Sequence, residues 1–155
     1  MNIIDICQTK VATIDQDAYI QEAAKILKSA DVGSLVVVEN DKPVGIITDR
    51  DIVIKIIAKG YDCSDARVCE YMTRDVITVD KNSEIDEVMS IMSNRGIRRI
   101  PVVDMHGKLS GIISLDDLCL FVEKEQDEIA NIIRNQIKPN QVMAKKINEP
   151  ELEII

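Results

Sequence analysis

The 155-residue chain has no tryptophan, one phenylalanine (Phe121), three tyrosines and one histidine (His106). A core without aromatic bulk must be built from Ile, Val, Leu, Met and Ala, which the 46% hydrophobic content supplies. Basic residues are also short, 19 against 27 acids for a net charge of −8. That balance excludes general attraction to nucleic acid or anionic lipid, so a polyanion must find a local basic site. The cysteines, Cys7, Cys63, Cys69 and Cys119, form no Cys-x-x-Cys pair and have no histidine beside them. Free thiols are expected, with no metal site and no disulfide framework. Long apolar runs are missing too, and the opening MNIIDICQTK has an acid where a signal peptide has bases. The expectation is a soluble cytoplasmic protein with no membrane and no nucleic-acid partner.

What the chain does contain, it contains twice. GIITDRDI (Gly45 to Ile52) returns as GIISLDDL (Gly111 to Leu118), and the flanks align at a constant offset of 65 from Val11/Val76 through Glu39/Asp104, then 66 after one extra residue in the second turn. Turn length is the cheapest feature for a repeat to vary. Each copy opens with a short extended segment (Val11 to Ile14; Val76 to Val79) that ends at an Asp. Apolar residues then fall at helical spacing, Ile20, Ala23, Ala24 and Leu27 in one copy and Ile85, Val88, Met89 and Met92 in the other. Ser83 is placed to cap the second of these helices. A β-hairpin follows in each copy, turning at Asn40 to Lys42 and at Gly107. The unbroken apolar run Leu35 to Val38 predicts strands covered on both faces. A further helix starts at Thr48 or Ser114, whose hydroxyls can cap it.

The predicted fold is therefore α/β (α+β), two β-α-β-β-α repeats packed sheet to sheet about a pseudo-twofold axis, because one unit of about 50 residues buries too little surface alone. The expected boundaries are repeat 1 over 1–60, a linker over 61–70, repeat 2 over 71–122, a C-terminal amphipathic helix extension over 123–138 and a tail over 139–155.

The set Gly-x-x-hydroxyl-x-x-Asp, with Thr48/Asp51 in one copy and Ser114/Asp117 in the other, puts a carboxylate in the first helical turn beside free backbone N–H groups. Such a carboxylate can accept a ribose diol while the N–H groups hold a phosphate. Simple helix capping explains one copy equally well, but capping does not require the same spacing twice.

Together with YMTRDVITVDKNSEIDEVMSIM and GIRRIPVVD, these segments resemble a tandem pair of CBS domains, a Bateman module, over roughly residues 5 to 122. The resemblance implies a regulatory, non-enzymatic module for signal transduction. Its ligand would be adenosyl (AMP, ADP, ATP or S-adenosylmethionine), with no required cofactor, a homodimeric state and an unknown regulated protein as partner. It also implies two clefts, each completed by both repeats. Carried over by position, the first combines Thr48, Arg50 and Asp51 with Val76, Ile77, Arg98 and Arg99. The second combines Ser114, Asp116 and Asp117 with Val11, Ala12, Gly33 and Ser34. Two or three arginines make the first the expected nucleotide site. Gly33, Ser34 and Asp116 make the second weaker, empty or suited to a less anionic ligand. Asp49/Asp51 and Asp116/Asp117 are the only candidate acid/base pairs for catalysis, and both fit the helix starts. The alternative function is a ligand-free dimerisation scaffold presenting the helices at 20 to 28, 85 to 93, 50 to 58 and 116 to 137.

Overall fold

The computed structural model describes residues 1–136, so Ile137 and the expected tail lie outside the described residues. The chain runs through a 3₁₀ turn at Ile3–Asp5, β1 (Thr13–Asp15), α1 (Ile20–Ala30), β2 (Ser34–Glu39), β3 (Lys42–Thr48) and α2 (Asp49–Ile52), which continues as π-type turns over Val53–Ile57. The second half repeats this order with α3 (Val68–Tyr71), β4 (Thr73–Arg74), β5 (Val79–Asp80), α4 (Ile85–Arg95), β6 (Arg99–Val103), β7 (Leu109–Ser114) and α5 (Leu115–Gln136). Residues 1–118 form one compact unit, and α5 from Cys119 onward belongs to a second, in which Leu120, Val122, Ile129, Ile132 and Ile133 are exposed. No helix among the described residues is long and apolar enough to cross a membrane.

Local sequence explains the elements. Asn40 and Asp41, at φ 51° and 65°, make the tight turn between β2 and β3, a conformation short polar side chains tolerate. Leu35, Val36 and Val37 are at most 1% exposed, as a strand covered on both faces requires. Ser83 does not cap α4: the cap position is Glu84, without a side-chain bond. The Ser83 carbonyl instead accepts the Ile3 N–H at 3.0 Å, just as the Ala18 carbonyl accepts the Val68 N–H at 2.9 Å, 65 residues out of step in both partners.

That matched pair of bonds belongs to a reciprocal exchange. The first sheet has the order β1-β2-β3-β4, with β1 parallel to β2 and the rest antiparallel, and its edge strand β4 comes from the segment entering repeat 2. The second sheet, β5-β6-β7, receives the segment entering repeat 1, through an antiparallel bridge between Gln8 and Ile112. The cores exchange in the same way. Ala66, Val68 and Met72 are buried in the first core with Ile14, Leu35 and Ile47, while Ile3 is fully buried in the second with Val88, Ile100 and Ile113. Residues 1–8 thus pack with the second repeat, and the end of the expected linker packs with the first, because burial follows the apolar side chains and not chain order.

The exchange also explains the glycine of the repeated motif. A Cβ on Gly111 would lie 2.8 Å from Cys7 Sγ and 2.9 Å from the Gln8 carbonyl oxygen, and one on Gly45 would lie 2.9 Å from the Thr73 carbonyl oxygen. The crossing backbone occupies the space a side chain would need.

Candidate functional site

Because residues 8–12 cross to β7 before entering β1, both repeats wall one cavity of about 190 Å³. Lys10, Val11 and Ala12 come from the crossing segment, Val32, Gly33 and Ser34 from the entry to β2, and Arg99, Ile112, Ser114, Asp116 and Asp117 from the second repeat. All seven residues expected in the second cleft are therefore brought together. Gln8, Lys10, Val32, Val36 and Ile112, which also line it, were not anticipated. Gln8 and Lys10 precede the aligned repeats, and their only signal is their place just before the first extended segment.

Asp117 is set by its own helix. Its Oδ2 accepts the Ser114 N–H at 2.8 Å and the Ser114 hydroxyl at 2.6 Å, while Ser114 Oγ accepts the Asp117 N–H at 3.2 Å. This reciprocal cap fixes the carboxylate at the start of α5. Among the described residues its second oxygen, Oδ1, accepts only the Gln8 Nε2–H at 3.0 Å, leaving acceptor capacity toward the cavity. Cys7, next to Gln8, has its thiol pKa pushed up by burial and by the nearby Asp117 carboxylate.

Repeat 1 builds the same cap with a different surround. Thr48 N–H donates to Asp51 Oδ2 at 3.0 Å, and Thr48 Oγ1 accepts the Asp51 N–H at 3.0 Å. Asp51 Oδ1, however, is paired with Lys55 Nζ at 3.0 Å. The Arg50 N–H donates to Asp49 Oδ1 at 2.7 Å, and the Asp49 N–H donates to the Gly33 carbonyl at 3.1 Å. Val76 and Ile77 are half-buried, and Ile77 packs against the second core.

Arg98 and Arg99, expected in the first cleft, both have neighbours on the Asp117 side. Arg99 lines the Asp117 cavity, and the Arg98 guanidinium lies 4.0 Å from the Asp116 carboxylate. The cause is the symmetry. Arg99 and Ser34 are equivalent positions, and both wall the same cavity, so both lie close to the axis relating the repeats. From that position a side chain can turn to either cleft. Positive charge therefore stands beside the second cleft as well: Lys10 and Arg99 line the cavity, and Arg98 lies near Asp116. Among the described residues no group of three His, Cys, Asp or Glu side chains converges as metal ligands would.

This arrangement can be set beside known proteins. The family model for the CBS domain matches residues 3–58 and 68–124. The CBS domain-containing protein YhcV of Bacillus subtilis is 35% identical over 119 residues, 77% of this chain and 84% of that protein. The uncharacterized protein MK0525 of Methanopyrus kandleri is also 35% identical over 119 residues, 76% of this chain but only 61% of its own length. Among solved structures, the CBS domain pair of protein MJ0100, in complex with 5′-methylthioadenosine and S-adenosyl-L-methionine, aligns with a TM-score of 0.70 at 32% identity. That alignment covers 81% of this chain and 98% of the other.

Proposed function

The chain belongs to the CBS domain family through both of its halves, and on that premise we propose that it is a regulatory module binding an adenosyl ligand in the Asp117 cleft. The observation that carries the reading is the cavity itself, where one fixed carboxylate and two cations, Lys10 and Arg99, are presented by both repeats. Asp117 Oδ1 accepts the ribose diol, Val11, Val32 and Ile112 give the adenine apolar faces, and the cations take a phosphate or carboxylate. At about 190 Å³ the cavity is smaller than the ~300–1,000 Å³ of ordinary ligand sites, and a diol on Asp117 Oδ1 takes the place of the Gln8 amide there.

The MJ0100 domain pair, with its adenosyl ligands, supports the ligand class. A ligand touching both repeats favours one of their relative arrangements over another, and a partner polypeptide reads that difference. The module acts by binding and not by catalysis, and it works as a homodimer. AMP, ADP, ATP and S-adenosylmethionine all fit the chemistry, with the two cations favouring the nucleotides.

Thermal unfolding with AMP, ATP and S-adenosylmethionine tests the proposal. A ligand held only by the folded state at 100 times its Kd adds about 2.7 kcal/mol of stability. The rise in Tm is expected for wild type and lost in Asp117→Ala. If no adenosyl compound moves the Tm, the scaffold reading replaces this one.

A further inference from the structure

The two capping carboxylates differ in what holds their outward oxygen. Asp117 Oδ1 is met by a neutral amide, Gln8 Nε2, at 3.0 Å. Asp51 Oδ1 is met by an ammonium, Lys55 Nζ, at 3.0 Å, and the same ammonium donates to the Tyr71 carbonyl at 2.9 Å. Lys55 lies in the π-type turns one turn beyond Asp51, and Tyr71 closes α3 just before the exchanged strand β4. The cation thus ties the first repeat's carboxylate to the segment that enters the second repeat. At the 66-residue offset its counterpart is Phe121, so the second repeat carries no such charge.

A diol must take acceptor positions on the carboxylate it binds. At Asp117 it displaces one neutral hydrogen bond from a side chain that can swing away. At Asp51 it has to part a charge-assisted pair, a stronger contact than the neutral one at Asp117. The Asp51 side chain is 17% exposed and that of Lys55 39%, so water reaches the freed ammonium more readily than the carboxylate.

We propose that Lys55 is a latch that closes the first cleft to diol-bearing ligands and confines them to the Asp117 cleft. The latch makes the duplicated module functionally one-sited. This inference rests on the adenosyl reading of the Asp117 cleft.

Adenosine is the probe, because it carries the diol without a phosphate and removing a lysine does not change any charge attraction to it. Calorimetric titration of the full chain is expected to give one adenosine per chain for wild type and two for Lys55→Met, with affinity at the new site at least tenfold above any wild-type binding there. Lys55→Gln, which keeps a donor for the Tyr71 carbonyl, serves if the Met variant fails to fold, and circular dichroism monitors both. Unchanged stoichiometry in the variants, or two sites already in wild type, overturns the latch and leaves the Asp117 reading intact. No binding by wild type with one site in Lys55→Met overturns the Asp117 reading and keeps the latch. No binding by either protein overturns both.

Discussion

Replacing Gly111 by alanine isolates the crossing of the chain from every other feature of the fold. Gly111 does not have a positive φ, so its backbone accepts an L-residue and the cost must come from contact. The new methyl would sit 2.8 Å from Cys7 Sγ and 2.9 Å from the Gln8 carbonyl oxygen. The thiol can rotate, but the carbonyl is fixed by the reciprocal bonds between Gln8 and Ile112, both 2.9 Å. Overpacking of this kind costs about 1–3 kcal/mol, and losing part of two backbone hydrogen bonds adds about 1 kcal/mol. A loss of about 2–4 kcal/mol follows, which lowers the Tm by roughly 10 °C for a unit of this size. Urea unfolding should show a lower midpoint with an unchanged m value, and amide exchange should quicken at Gln8 and Ile112. Gly33→Ala is the control, since its Cβ would meet only the Asp49 carboxylate at 3.6 Å or more, and its stability should change by less than about 0.5 kcal/mol. If Gly111→Ala unfolds within about 0.5 kcal/mol of wild type, close approach is not the reason for the motif's glycine.

Two further outcomes follow from the site. Arg99→Ala should weaken AMP binding roughly 10- to 100-fold, the worth of a charge-assisted hydrogen bond, while moving adenosine less than about threefold; a selective AMP loss in Arg50→Ala instead would return the phosphate to the first cleft. The half-buried Cys7 should react with a disulfide reagent far more slowly than the exposed Cys63 at neutral pH, and Asp117→Asn should speed it by removing a charge that holds the thiol protonated. The sign for stability is fixed by the same shift. The folded pKa lies above the unfolded value, so the contribution of Cys7 is complete below the unfolded pKa and is lost as pH rises through the folded one. A Cys7→Ser variant that lost stability with rising alkaline pH as steeply as wild type would contradict this.

Much of the fold was legible because its causes are local. The offsets of 65 and 66, the spacing of Ile20, Ala23 and Leu27, and the Asn40-Asp41 turn all express forces acting within a few residues. The reciprocal caps of Thr48 with Asp51 and Ser114 with Asp117 belong to the same class. The pair Asp51 and Lys55 was also present as an i,i+4 spacing, though nothing local joined it to Tyr71.

What the sequence by itself determined, then, is the content of each repeat and the carboxylate it presents. What only the tertiary structure decided is which segments and charges each repeat receives from the other. Ile3 and Val68 pack in exchanged cores, and Arg99 lines the cavity that holds Asp117. Periodicity and capping are short-range, whereas the allocation of residues between the repeats depends on contacts far apart in the chain, such as Val68 with Ala18 and Gln8 with Ile112, between copies whose local patterns are nearly the same.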